Sequence, residues 1–576
     1  MMRAMSKSAP ASTPAIEHLM LIAVAAAIAP LVAKNMTPSA TLYNQIAAVA
    51  GWGLALAFAA PLVGRLRLDA AAIGWLLLLG APFASVWLNA LPLSLALEAA
   101  GLIGAALVVY LGGQGLVREA RIAAFDWLCI GLLVAGLASV VVSLLQVFAP
   151  DWCDGTFIAR SGLVGRAVGN MRQPNHLASL LIWGCVAAAW LSERRLPKLV
   201  GAVALPVALF GLLFADVLSA SRTGMADVLM LAAWGALDRR LSVRTRAALI
   251  ASPLVWALGY VLMHEWAAHG HAFGAETRIN DEGAGSPSRM AILRNALALI
   301  ERNPWVGVGW GEFNLAWTMT PFPDRPTAFF DHTHNLLVQF AVELGLPMMF
   351  VLALLFGATL WRAFKRCLAM DDETSSARRA ALVLVLTIGV HSMLEYPLWY
   401  GYFLLPAAFA FGIASGEDAP PARLPQRAFM LAGMTLLAGS AFACWDYGQI
   451  VAIYAPPEDS APLAARIEKG THSVFFAAQA QYAAATSPDP GAATLAAARV
   501  TGHNLIDTRL MRDWARSLHA TGDDDRARFI VQRLREFRPS GAEADWLDEC
   551  KDLAPGDVRP FQCDAPQRQY EWRDMR

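Results

Sequence analysis

The chain has 576 residues, 56% of them apolar and 16% charged, where a soluble domain carries about 25% charged residues. Lys plus Arg and Asp plus Glu each number 46, so the net charge is +0 and no global field draws the chain to nucleic acid. With a mean hydropathy of +0.44, this composition excludes a disordered chain, a collagen and a disulfide scaffold, and it describes a multi-pass membrane protein.

Apolar runs long enough to cross a bilayer predict about thirteen spans: 16–33, 45–64, 71–88, 92–112, 125–149, 176–192, 199–216, 224–238, 247–263, 345–362, 380–397, 400–415 and 428–446. Lys and Arg collect in cytoplasmic loops. Counting alternate connections from a cytoplasmic N-terminus finds Arg3 and Lys7; Arg65 and Arg67; Arg118 and Arg121; Arg194, Arg195 and Lys198; Arg239, Arg240, Arg244 and Arg246; Arg362, Lys365, Arg366, Arg378 and Arg379; and Arg423 and Arg427. The opposite set has Lys34, nothing near Asn89 or Trp399, and arginines in three segments, 150–175, 219–223 and 264–333. The first span therefore reads as a signal anchor rather than a cleaved signal peptide. An odd span count puts the C-terminal tail on the outer side, the periplasm of a bacterium.

The tail, 447–576, holds 35 of the 92 formal charges, a soluble-domain density. Its Ala-rich stretches and the segment TRLMRDWARSLHATGDDDRARFIVQRLREFRP predict helices, the last a tetratricopeptide-like hairpin. Such a tail is either a cap docked on the outer surface or an acceptor-binding platform. Cys550 and Cys563 close a short loop in an oxidising compartment and are expected to pair, which leaves Cys153 over. The organisation expected is 1–150 N-terminal spans; 151–192 an outer motif and its helix; 193–370 a core with a large outer loop, 264–333, long enough to be a lid; 371–446 C-terminal spans; and 447–576 the helical domain.

Four polar segments sit beside outer span ends. GRAVGNMRQPNHLASL carries Arg166, Arg172, Gln173, Asn175 and His176, with Asn175 placed to cap the following helix. LSASRTGMADV carries Arg222, in a turn on the arginine-poor side, either snorkelling to lipid phosphate or contacting a ligand. SRMAILRNALALIERNPWVGVGWGEF carries Arg289, followed by Gly307, Gly309 and Gly311, which allow close backbone approach to a ligand. FFDHTHNLLVQFAVELGLP carries His332, His334 and Asn335. In HEWAAHGH the second histidine is five residues from the first, so the zinc-protease spacing fails and no metal is expected.

RQPNHLAS, SASRTG, NPWVGVGWGEF, DHTHNLLVQFAVELGLP and LEYPLWYGYFLLP, in this order, resemble the O-antigen ligase superfamily, and most closely its bacterial O-linked oligosaccharyltransferase branch, the pilin glycosylation ligases. The resemblance implies an all-α, polytopic helical integral membrane enzyme of the bacterial inner membrane, with active site and C-terminal domain in the periplasm. It implies a glycosyltransferase that moves a glycan en bloc from undecaprenyl diphosphate to a Ser or Thr hydroxyl of pilin or another periplasmic protein, without a cofactor. It makes His334 the catalytic residue and assigns functional roles to Gln173 and to Tyr396 or Tyr400.

Physical chemistry fits these roles. Arg172, Arg222 and Arg289 suit a diphosphate because guanidinium stays charged and binds phosphate oxygens bidentately. His334 is suited to take a proton from the acceptor hydroxyl, with His332 beside it in a supporting role. The same architecture serves attachment of O-antigen to lipid A core and polysaccharide polymerisation. A polytopic transporter is the alternative of another class, but the matching polar segments it needs in two halves of the chain are not found.

Overall fold

The computed structural model describes residues 17–576 apart from 65, 277–286, 324, 370–372, 418–422, 552 and 554–557, so Arg3, Lys7, Arg65 and the start of the first expected span lie outside the described residues. Among the described residues the protein is all-helical, with two isolated bridges and no strand. The bundle consists of α1 (Met20–Leu31), α2 (Leu42–Ala59), α3 (Ala70–Asn89), α4 (Leu93–Gly115), α5 (Arg118–Phe148), α6 (Pro174–Arg194), α7 (Lys198–Ser219), α8 (Arg222–Leu237), α9 (Val243–Ile250) and α10 (Ser252–Ala268). It continues, after α11 (Pro287–Arg302) and the short α12 (Phe313–Met319), with α13 (Leu336–Ala369), α14 (Glu373–Ser392), α15 (Gly401–Ser415) and α16 (Arg423–Tyr454).

Every expected span falls on one of these helices, which makes the chain a multi-pass membrane protein. Among the described residues eight helices are long and apolar enough to cross a bilayer by themselves, or nine if α9 and α10, bent by 41°, form one span. The difference from thirteen lies in helix length: α1 has 12 residues, α8 has 16 and α15 has 15, rises of about 18 to 24 Å where the hydrocarbon core is about 30 Å thick. α14 is longer, but its first turns are charged.

In lipid the bundle cannot rely on the hydrophobic effect between helices, so small residues bring backbones together. A Cβ on Gly53 of α2 would lie 2.8 Å from the Gly433 carbonyl of α16, and one on Gly412 of α15 would lie 2.2 Å from the Tyr110 carbonyl of α4. α6 and α15 form the centre: residues 175–191 of α6 and all of α15 are buried. At the basic end of the bundle, Asp126 of α5 takes hydrogen bonds from Trp190 (2.8 Å), Arg194 (3.1 Å) and Arg195 (2.5 Å), so those arginines also tie α5 to α6.

The tail contains α17 (Leu463–Thr471), α18 (Ala477–Ala485), α19 (Ala492–Thr501), α20 (Thr508–Ala520), α21 (Asp524–Glu536) and α22 (Ala542–Asp548). α20 and α21 pack against each other as a helical hairpin, and Cys550 is bonded to Cys563. The tail shares one core with the 287–342 region, where Ile292, Leu299, Phe313 and Trp317 meet Leu510, Trp514, Phe529 and Phe537. Phe329 stacks on Phe537 at 4.0 Å, and Arg325 sits over Trp317 and Phe537 while bonding Glu536 at 2.9 Å. This bears on the expectation of a lid: the described part of 264–333 beyond residue 286 packs on the tail through Ile292, Leu299, Phe313 and Trp317, while Met290, Leu297, Trp305 and Val306 stay exposed.

Replacing Gly412 by Ala forces a methyl into the Tyr110 backbone and is expected to destabilise the bundle by about 1–3 kcal/mol. Gly439→Ala, where nothing lies within 4 Å, is expected to keep or slightly raise the unfolding midpoint of the detergent-solubilised protein through helix propensity alone, so the pair of thermal melts separates packing from propensity.

Candidate active site

Three helices open at one end of the bundle in the same way. Arg172 (φ 57°), Ala220 (φ 51°) and His334 (φ 57°) adopt the left-handed conformation immediately before the caps of α6, α8 and α13, each at a cost of about 1 kcal/mol for a residue with a Cβ. The caps follow at once: Gln173 Oε1 accepts from His176 N at 2.9 Å, Ser221 Oγ from Gly224 N at 3.1 Å, and Asn335 Oδ1 from Val338 N at 3.1 Å. The αL residue reverses the chain so that a polar side chain precedes each helix. Together the three N-termini bring the positive ends of three helix dipoles into one region.

Side chains from two of these N-termini meet at Glu395, in the connection between α14 and α15 and 5% exposed. His334 Nδ1 lies 2.6 Å from Glu395 Oε2, Asn175 Nδ2 donates to Oε1 at 2.9 Å, and Arg289, near the start of α11, forms an ion pair with Oε1. Asn175 Oδ1 accepts in turn from Ser221 Oγ at 2.7 Å, and Arg222 is the next residue, half-buried at the first position of α8. Burial by itself raises the Glu395 pKa. The His334 hydrogen bond and the charges of His334 and Arg289 outweigh it and hold the carboxyl below its ordinary value. An ionised carboxylate only accepts, so His334 Nδ1 donates in this hydrogen bond, and in the neutral imidazole Nε2 is then the free acceptor nitrogen.

Aromatic rings fix the histidines. Tyr396 stacks on His332 at 4.3 Å and meets His334 edge-on at 5.2 Å, and Phe330 meets His334 at 5.3 Å. His332 Nδ1 lies 3.0 Å from Asp331 Oδ1. Tyr396 donates to Tyr400; burial raises both phenols, Tyr400 to about 12. Neither phenol is a base near neutrality. Asn335 Nδ2 donates to Met393 O at 3.0 Å and ties the start of α13 to the Glu395 connection.

Of the sequence candidates, His334, Arg289, Asn175, Tyr396, His332 and Asn335 therefore meet, and Arg222 adjoins them. The others do different work. Arg172 turns its guanidinium to the Ala33 carbonyl and, at 3.4 Å, to those of Ala40 and Asn170, so it braces the α1–α2 connection. Arg166 donates to Ser219 O at 2.7 Å and clamps the end of α7. Gln173 caps α6, the role expected of Asn175, which instead reaches Glu395 and Ser221. His176 is buried one turn deeper, 2.9 Å from the Tyr402 hydroxyl and 4.5 Å from the Tyr400 ring.

The glycine turn is also corrected. Gly307 (φ 67°) abuts the Glu343 backbone and Gly309 (φ 114°) the Asn89 amide, so these two glycines permit close approach to protein, not to a ligand. The histidines of HEWAAHGH are dispersed: His264 bonds Glu276 at 2.5 Å and His271 stacks on Trp266 at 3.7 Å.

A cavity of about 1070 Å³ opens beside the cluster, between α2, α3, α4 and α13–α16. Leu352, Phe356, Leu360 and Leu436 line it along the bundle, and Asp331, His332, Trp399, Trp310 and Asn504 border its polar end. His332 is thus shared between cavity and cluster.

Sequence reasoning missed Glu395 and Ser221. Glu395 is an acidic residue at a span end on the charge-poor side, so the argument that singled out four arginines there would have found it had it been applied to carboxylates. Ser221 had no comparable signal, because a Ser before a helix is an ordinary cap.

Comparison with known proteins gives three matched segments. A protein glycosylation ligase family matches residues 167–191, an O-antigen ligase family 207–353, and the C-terminal region of a virulence factor membrane-bound polymerase family 379–546. Two proteins of Acinetobacter baylyi (strain ATCC 33305 / BD413 / ADP1) are similar. A general O-oligosaccharyltransferase is 25% identical over 265 residues, 44% of either chain. A ComP-specific O-oligosaccharyltransferase is 24% identical over 269 residues, 46% of either chain. The matched region thus spans less than half the length of these curated relatives. The matches support the O-antigen ligase superfamily and its protein glycosylation ligase branch.

Because the Glu395 pKa is depressed on folding, its contribution to stability is complete above the ordinary value of 4.5 and is lost as pH falls through the lower folded value. Glu395→Gln, which loses the charge-assisted bonds, is expected to lower stability at pH 7 by about 1–3 kcal/mol and to flatten that acid limb. A pH series of thermal melts on the two proteins checks both.

Proposed function

We propose, from a chain whose matched segments belong to O-antigen ligases and protein glycosylation ligases, that this protein is an O-oligosaccharyltransferase. It moves a glycan from a polyprenyl diphosphate, undecaprenyl diphosphate in a bacterial inner membrane, to a Ser or Thr hydroxyl of pilin or another periplasmic protein. The observation that carries the reading is the Glu395 cluster: a histidine hydrogen-bonded to a buried carboxylate, beside Arg289 and three helix N-termini.

His334 Nε2 takes the proton of the acceptor hydroxyl as its oxygen forms a bond to C1 of the first sugar, and the bond from C1 to the diphosphate oxygen breaks. Glu395 holds the imidazole in the required tautomer and stabilises the imidazolium that forms. The departing diphosphate gains negative charge. Arg289, Arg222 and the positive ends of α6, α8 and α13 lower the energy of that charge more in the transition state than in the bound substrate. The polyprenyl tail fits the apolar length of the cavity, and the acceptor comes from the aqueous side, where the tail domain and the 287–342 wall stand. By the arginine count the N-terminus is cytoplasmic and this face periplasmic. Gln173 acts by capping α6 and so fixing Asn175, and Tyr396 by packing both histidines.

The O-antigen ligase and polymerase matches favour a second reading, transfer of the same kind of donor to lipid A core or to a growing polysaccharide. Loss of protein glycans with intact lipopolysaccharide on deletion supports the protein acceptor; the converse supports the second reading.

His334→Ala is expected to lower transfer from lipid-linked oligosaccharide to purified pilin by about 10²–10⁴-fold with normal membrane insertion, and a wild-type rate removes it from the mechanism. Arg222→Lys keeps the charge but loses the fork; a fall in transfer of about tenfold or more is expected, and an unaffected rate excludes bidentate phosphate binding there.

A further inference from the structure

Glu98 lies in the second turn of α4, with its side chain on the wall of the cavity among Leu95 and Leu102. It has no hydrogen-bond or ion-pair partner among the described residues. Glu98 is exposed to the cavity, so its carboxylate is open to a ligand that brings donors to an otherwise apolar wall. Asn504 reaches the same cavity from the tail, and its side-chain amide is likewise without a partner among the described residues. Its turn is held rigidly: His503 Nδ1 is 2.6 Å from Glu312 Oε1, and Ile506 N donates to Asn314 Oδ1 at 3.0 Å. Two half-buried indoles complete the end of the cavity. Trp310 has its backbone fixed by Ser85 Oγ at 3.2 Å, and Trp399 lies edge-on to His332 at 4.8 Å.

We propose that Glu98, Asn504, Trp310 and Trp399 form a sugar subsite, which holds the glycan residue joined to the lipid diphosphate. This rests on the transferase reading above and extends it to a donor-recognition element, one component of which is supplied by the tail domain. The chemistry selects the ligand class. A polyprenyl chain has no use for a carboxylate, and a diphosphate is repelled by Glu98 and Asp331. A neutral sugar offers hydroxyls that donate to the carboxylate and amide, and C–H faces that lie against indole rings. The tail domain then takes part in choosing the glycan instead of only presenting the acceptor.

The test uses full-length protein in lipid nanodiscs and two probes, undecaprenyl diphosphate and undecaprenyl-diphosphate N-acetylglucosamine. Wild type is expected to bind the sugar-bearing lipid about tenfold more tightly than the bare lipid, a ratio typical of a few new hydrogen bonds. Glu98→Ala and Asn504→Ala are each expected to reduce that ratio severalfold while leaving bare-lipid binding unchanged, with Glu98→Gln retaining part of it. The unchanged bare-lipid affinity reports that each variant is folded. Variants that keep the wild-type ratio, that weaken both lipids equally, or that raise only the KM for the acceptor protein overturn the subsite. If wild type binds neither lipid, the transferase reading fails with it.

Discussion

A carboxylate removed from water has to be given back its hydrogen bonds, and in this protein Glu395 is given them by residues of three separate helical segments. Asn175 comes from α6, Arg289 from α11 and His334 from the turn before α13. One buried charge therefore sets the relative positions of three elements that are far apart in sequence. It also fixes which nitrogen of His334 carries the proton, so the same interaction that holds the bundle end together prepares the histidine for proton transfer.

The rest of the architecture maintains that arrangement. Glycine contacts such as Gly53 with Gly433 let helices approach closely without a hydrophobic drive, which lets α6 and α15 run buried through the centre. At the site end, the wall formed by α11, α12 and the 320–335 segment would be a long connection with little of its own to bury. The tail supplies the missing partner: Phe537, Trp514 and Phe529 complete its core, and the buried His503–Glu312 pair fastens it near the cavity. The backbone strain at Arg172, Ala220 and His334 is held by the caps that follow each of them.

Much of this was legible in the residues. Apolar runs marked where the helices lie, since a span must be about 20 apolar residues whatever it packs against, although α5, α13 and α16 extend well beyond the expected ends and 247–263 is divided between α9 and α10. Scarcity of charge made Arg222 and Arg289 conspicuous, and the resemblance to the O-antigen ligase superfamily pointed to His334. The same logic singled out Arg166 and Arg172, whose guanidiniums bond backbone carbonyls; a guanidinium satisfies carbonyls as readily as phosphate, and the choice depends on which loop folds beside it. It misjudged Gly307 and Gly309 for a similar reason: a glycine announces a close approach without saying to what.

The sequence by itself determined the class of molecule and its helical elements, because these follow from composition and from periodicity along the chain. Only the tertiary structure decided that Glu395 is the common partner, that Gln173 and not Asn175 caps α6, and that the tail is continuous with the site. Each of those is a contact between residues roughly 60 to more than 200 positions apart or a choice between two adjacent polar side chains. Local propensity does not encode either one, and packing selects it through the requirement that every buried polar group find a partner.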